Sequence, residues 1–279
     1  DIITAGIKAF AGKPENTREA ARLAAEAIMT TDTKSKEVAV TFDIDGVTVT
    51  IGGMCKGSGM IHPNMATMLG FVTTDIDIED GLLKKALKET VNDTFNMISV
   101  DGDTSTNDSV LLLANGMSGN AKITKEDDNY LKFKEALMYV NRELAKKIAG
   151  DGEGATCLFE VQVVGAESKE QAVTLSKSIV TSSLTKAAIF GHDANWGRIL
   201  CAMGYSGAQF DPEKVDIYFE SENGNLKIVE DGTSTGYSEE EATKILSSEH
   251  VKAIADVKMG NYEATAYGCD LTFDYVKIN

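Results

Sequence analysis

Apolar and polar positions alternate in patterns that divide most of the chain into recognisable elements. A helical pattern begins almost at the first residue. Residues 15–30 (ENTREAARLAAEAIMT) place Ala21, Leu23, Ala24, Ala27 and Ile28 at helical spacing, with Asn16 able to cap the start. Residues 37–52 alternate around Asp45-Gly46, which predicts a hairpin whose turn accepts positive φ. Residues 68–74 (MLGFVTT) read as a strand. A helical stripe over 78–98 runs through Ile78, Leu82, Leu83, Leu87, Val91 and Phe95. Another over 125–149 runs through Tyr130, Phe133, Leu137, Val140, Leu144 and Ile148, with Gly150 as its expected C-cap. Strands are expected at 110–114 and 158–164, and a helix over 168–182 behind a serine cap. From 213 onward strand patterns (KVDIYFE, KIVED, EATAYGCDLTFDYVKI) surround one helix near 238–248, and the closing DYVKIN reads as strand. These patterns establish mixed α and β, with a lobe over 1–170 and a second α/β lobe over 171–279.

One stretch breaks the alternation. In GGMCKGSGMIHPNMATMLGFVTTD, residues 52–75, Gly52, Gly53, Gly57 and Gly59 stand too close together for an expected strand interior. The stretch reads as a tight turn that delivers the hydroxyl of Thr67 into a confined place, with Lys56 as a nearby cation. A threonine hydroxyl is a weak nucleophile until a base activates it, and making that threonine a new chain N-terminus supplies its own amine as the base. The plainer reading is a glycine-rich loop around a buried threonine, and these residues alone fit both.

Composition narrows the class. With 43% hydrophobic and 25% charged residues over 279 positions, the chain suits a globular protein with a large core. A net charge of −16 argues against a nucleic-acid or anionic-membrane surface, which needs clustered Lys and Arg. Cys55, Cys157, Cys201 and Cys269 are widely spaced, and no secretory signal is seen, so reduced thiols in a cytoplasmic protein are expected. No apolar run approaches the ~20 residues of a membrane helix.

Three polar clusters compete for a role. Asp101, Asp103 and Asp108 in SVDGDTSTNDS are hard oxygen ligands, but the spacing lacks the glycine and terminal Glu of a calcium loop, and a polar turn is the preferred reading. Glu153 stands between two glycines, where a glutamate is ordinarily solvated. His192 and Asp193 are adjacent, and adjacent side chains seldom face each other. Ser58 in GSGM does not make a nucleophile elbow.

The run KGSGMIHPNMATML (56–69), with TTDT (30–33), SVDGDTSTNDS (99–109) and GHDANWGRI (191–199), resembles the ornithine acetyltransferase family, also called glutamate N-acetyltransferase, over essentially the whole chain. The resemblance implies self-cleavage between Ala66 and Thr67, giving an α part of 1–66 and a β part from Thr67. It implies an N-terminal-nucleophile-like αββα sandwich with a second C-terminal α/β lobe. It makes Thr67 the nucleophile, with its freed amine as general base, and Thr30, Lys56, Thr67, Glu153 and Asn279 the substrate contacts, Thr31 being the close competitor of Thr30. The implied reaction carries acetyl from N-acetylornithine to glutamate, with no metal and no organic cofactor, and leaves acetyl-CoA open as a second donor. Two αβ units are expected to assemble as an α2β2 heterotetramer.

Two departures stand beside the likeness. The family's oxyanion hole uses a Thr-Gly pair upstream of Asp1, and a Thr or Ser follows the position of Asn279. Both ends therefore read as cut, and the fragment alone is expected to be poor or inactive in catalysis and self-cleavage, since one lost oxyanion donor costs about 10²–10³ in rate. Two other functions remain open: a hydrolase using the same threonine, such as an amidase or aminopeptidase, and a non-catalytic binding module with a cation in DGDTSTND.

Overall fold

The computed structural model describes residues 1–62 and 68–279. The expected cleavage pair, Ala66 and Thr67, lies outside the described residues. The described residues build a mixed α and β fold with two sheets.

The first sheet has the order β1 (Lys36–Ile44), β2 (Val47–Lys56), β3 (Leu69–Thr74), β4 (Ser109–Ala114). Asp45 and Gly46, both at positive φ, turn β1 into β2 as the hairpin pattern requires. β3 and β4 are parallel, and the crossover that parallel strands need is made by α3 (Asp80–Asn92) and a 3-10 turn at Phe95–Met97. The helix expected over 78–98 is thus two pieces.

β2 runs straight through Gly52 and Gly53 to Lys56, against the expectation that these glycines exclude a strand. The reason is close approach from α4 (Asp128–Gly150). A Cβ on Gly53 would lie 2.9 Å from Leu144 Cδ1 and 3.2 Å from Val140 Cγ1, so a side chain there would push these buried groups of α4 aside, and glycine lets the helix settle close on the strand. α4 starts on Asp127, whose carboxylate accepts from the N–H groups of Asn129 and Tyr130. Its stripe of Tyr130, Phe133, Leu137, Val140, Leu144 and Ile148 is wholly buried, as the periodicity predicts. Gly150 is still helical, and Asp151, with φ −110°, is the C-cap in its place.

The second sheet has the order β10 (Tyr262–Cys269), β5 (Leu158–Ala166), β9 (His250–Asp256), β6 (Asp216–Ser221), β7 (Gly224–Glu230), β8 (Thr233–Ser234). β5 precedes residue 170 in the chain but hydrogen-bonds inside this sheet, between β10 and β9. α5 (Lys169–Thr181), α6 (Ser183–Phe190), α7 (Trp196–Gly204) and α8 (Glu239–Leu246) gather on one face around Phe159, Val161, Val163, Ile217, Phe219 and Val251. α4 touches β5 and β10 from the other side while covering β1 and β2. The described residues up to 150 build one four-stranded sheet with α3 and α4 on a single face.

Two helical ends also differ from expectation. α2 (Arg18–Ala27) is capped by Thr17 rather than Asn16, and its buried residue is Ala25, while Leu23 faces solvent. The closing DYVKI is helical, α9 (Phe273–Ile278), because the Thr272 hydroxyl accepts from the N–H groups of Asp274 and Tyr275. An N-cap overrides the strand preference of Val276 and Ile278 there. α1 (Ile2–Phe10) buries none of its residues.

Candidate functional site

Four segments meet at the end of β2: residues 30–36 after α2, residues 56–62, the turn 151–155 after α4, and α9. Lys56, the last residue of β2, donates from Nζ to Thr30 Oγ1 at 3.3 Å. Thr31 Oγ1 lies 2.9 Å from Ser58 Oγ, so the neighbouring threonines grip neighbouring parts of the same loop. Glu153 donates its N–H to Ser58 O at 2.9 Å, and its carboxylate accepts from Asn279 Nδ2 at 2.9 Å. Thr30, Lys56, Glu153 and Asn279 are therefore linked through the loop at Ser58 into one connected set of contacts. Thr67 lies outside the described residues.

The glycines around Glu153 have separate tasks. A Cβ on Gly152 would come within 2.9 Å of Cys269 Sγ and Val100 Cγ1. Gly154, at φ +70°, lies against the start of α9, where a Cβ would meet Tyr275 N at 2.6 Å. Thr272 Oγ1 donates to Gly154 O at 2.7 Å, which seats α9 so that Asn279 reaches Glu153. Across the site, Gly59 makes room for the acid itself: a Cβ there would lie 2.5 Å from the Glu153 carboxylate.

Beneath the site lies a buried charge cluster. Lys36, 1% exposed, donates to Asp32 Oδ1 at 2.6 Å and Asp151 Oδ2 at 2.5 Å. Asp32 also accepts from the N–H groups of Gly57 at 2.7 Å and Thr30 at 3.1 Å. Asp151 also accepts from the N–H of Thr33 at 3.0 Å and from the Thr33 hydroxyl. Burial raises the Asp32 carboxyl, but the Gly57 N–H, the Lys36 ammonium and the Thr30 N–H outweigh it and hold the group below the usual carboxylate range. One lysine thus ties together the three segments that carry Thr30, Lys56 and Glu153. Asp32 stands inside the TTDT run; nothing local marks Lys36 or Asp151, whose meeting spans more than a hundred residues.

The other polar clusters resolve differently. Asp101 accepts backbone N–H groups from Met60, Ile61 and Asp103, the behaviour of a polar turn. Asn195 caps α7, Arg198 donates to Leu184 O at 2.7 Å, and Asp193 accepts from Asn195, so GHDANWGRI forms the corner between α6 and α7. Burial, helped by Lys177, holds His62 below the usual histidine range despite Asp101 and Asp103.

An ammonium, a carboxylate and an amide set around one glycine-rich turn suit a ligand of amino-acid size that carries both charges. The ArgJ family profile matches residues 1–279. The chain is 55% identical over 280 residues to the arginine biosynthesis bifunctional protein ArgJ 1 of Clostridium acetobutylicum, covering all of this chain and 68% of that protein. It is 52% identical over 262 residues to the glutamate N-acetyltransferase of Methanocaldococcus jannaschii, covering 92% of this chain and 64% of that protein. The crystal structure of the arginine biosynthesis bifunctional protein ArgJ from Bacillus halodurans matches with a TM-score of 0.72 at 48% identity, over 75% of this chain and 97% of that one. The chain belongs to the ArgJ family. It spans about two thirds of the length of these curated relatives.

Proposed function

We propose that this chain is the core of an acetyltransferase that cuts itself between Ala66 and Thr67 and then carries acetyl from N2-acetylornithine to glutamate on Thr67. The observation that carries the reading is the joining of Lys56, Thr30, Glu153 and Asn279 around the turn that leads into residues 63–67. The names of the relatives support it. So does the crystal chain that 75% of this chain covers almost completely, because a β part starting at Thr67 would also be a shorter polypeptide.

In maturation, the Thr67 hydroxyl oxygen bonds to the Ala66 carbonyl carbon, the peptide C–N bond breaks, and the hydroxyl proton passes to the leaving amine. Water then hydrolyses the ester. The freed α-amine has a reference pKa of roughly 7.7–8.0, so it serves as base near neutral pH. In transfer, the hydroxyl attacks the acetyl carbonyl of acetylornithine, ornithine leaves, and glutamate's amine takes the acetyl group from the threonine ester. Lys56 meets the α-carboxylate common to both amino acids, with Thr30 steadying its ammonium. Glu153, held by Asn279, meets the side-chain ammonium of ornithine. No metal or organic cofactor takes part, acetyl-CoA is a candidate second donor, and cleaved units pair as α2β2.

The same proposal extends to the fold. A second sheet, in a protein of the relatives' length, would stack on the face of the first sheet opposite α4 and complete an αββα sandwich, with the second sheet of this chain as a further lobe. Leu111 and Leu113 on β4, 51% and 56% exposed, support that reading.

Glu153→Gln tests the site. A charge-assisted hydrogen bond is worth about 1.5–3 kcal/mol, so the KM for acetylornithine should rise about ten-fold or more, with the KM for glutamate much less affected. Gly59→Ala should reproduce this selective rise by pushing the Glu153 carboxylate off Asn279, while its melting temperature stays near that of the wild type, since the displaced atoms end a flexible side chain. Equal rises for both substrates would contradict the assignment of Glu153.

A further inference from the structure

Residues 99–109 touch the chain on both sides of the proposed scissile bond. Upstream, each of residues 60–62 is held. Asp101 accepts from Met60 N at 2.6 Å and Ile61 N at 3.0 Å. Val100 N donates to Ile61 O at 2.6 Å. Ser99 Oγ lies 3.1 Å from His62 Nδ1, and Thr104 Oγ1 donates to His62 O at 2.9 Å. Downstream, Ser109 N donates to Met68 O at 2.8 Å, and β4 continues beside β3.

The strap is itself anchored in the second lobe. Ser99 N donates to Tyr267 O at 2.9 Å on β10, and the buried Lys186 of α6 donates from Nζ to Val100 O. Asp101 Oδ1 also accepts from Asp103 N at 3.2 Å, closing the strap's own turn across Gly102 at φ +80°. The upstream flank is costly to hold without help, because Met60 sits at φ +54°, a region that a side chain like methionine rarely enters. Two charge-assisted bonds from Asp101, at Met60 and at its neighbour, offset that strain.

We infer that the 99–109 strap is a jig for self-cleavage, with Asp101 as its positioning residue. This rests on the self-cleavage reading given above. Attack of a side chain on its own preceding carbonyl needs the backbone held in an unusual conformation, and fixing both flanks of a five-residue segment removes much of the conformational search. Asp101 takes no part in the bond changes. It acts through Met60 and Ile61, and its carboxylate has two oxygens to do so; asparagine keeps one acceptor and alanine keeps none.

The test follows cleavage of the full-length precursor over time by intact mass after cell-free synthesis. Melting of each variant is measured in the uncleavable Thr67→Ala background. Asp216→Asn is the control: Asp216 is a buried acid on β6 that accepts from Lys258 and Lys227, so its loss destabilises the second lobe away from the strap. Asp101→Ala should slow cleavage by about ten-fold or more, Asp101→Asn by less, and Asp216→Asn should cut at the wild-type rate despite a comparable drop in melting temperature. Asp101→Ala cutting as fast as wild type, or Asp216→Asn slowing equally, would overturn the jig while leaving self-cleavage standing. A wild-type precursor that never cuts would remove both.

Discussion

Thr67→Ala is expected to leave the complete protein as one uncut chain and to lower acetyl transfer by at least ~10³-fold, the scale on which removal of a covalent nucleophile acts. Both losses come from one change because the proposed mechanism uses the residue twice. Its hydroxyl opens the peptide bond, and the amine that this opening frees then activates the same hydroxyl. Thr67→Ser, which keeps a hydroxyl, should still cut and retain measurable transfer. Binding of acetylornithine should survive Thr67→Ala far better than turnover, since Lys56, Thr30, Glu153 and Asn279 remain. Full turnover by an uncut Thr67→Ala chain would exclude the freed amine as base.

Lys36→Met should lower stability by about 3–5 kcal/mol, the range seen when one partner of a buried ion pair is removed. In a protein of this size that corresponds to a fall of roughly 6–20 °C in melting temperature. The methionine fills similar space, so the loss is chiefly electrostatic: Asp32 and Asp151 stay buried without the cation that joins them. Adding Asp151→Asn should recover part of the loss. The acid side gives a second check. The folded Asp32 carboxyl sits below its unfolded value, so the stability it contributes is complete above about pH 4 and drains away as pH falls through the lower folded value. The gap between wild type and Lys36→Met should therefore narrow below about pH 4. A cost under about 1 kcal/mol at neutral pH would show that the cluster is not what holds the three site segments together.

Much of the scaffold is legible in the residue pattern. The stripe from Tyr130 to Ile148 reads directly as a buried helix face, and Asp45-Gly46 reads directly as a hairpin turn, because both are local. The failures come where a distant partner decides. Gly53 looks like a strand breaker until Leu144 and Val140 are seen resting on it. DYVKI carries strand-forming residues, yet the Thr272 cap and the turn at Gly154 fold it into a helix. β9 is flanked in the sheet by β5 and β6, each met by a long connection, and nothing local announces that it sits between them. The site divides in the same way. Periodicity marks neither Lys56 nor Glu153; only the likeness of whole motifs singles them out, and the geometry places them beside Thr30 and Asn279. Lys36 and Asp151 had no such signal, since a strand-start lysine and a helix-end aspartate are ordinary until the fold brings them within 2.5 Å.

The central claim is that a self-made N-terminal threonine carries the acetyl group. Its most direct test is the intact mass of the purified complete protein, before and after N-acetylornithine is added without glutamate. Two chains divided between Ala66 and Thr67 are expected, with one acetyl group gained on the chain that begins at Thr67 and lost again when glutamate is supplied. A single uncut chain, or a cut one that never gains the acetyl group, would contradict it.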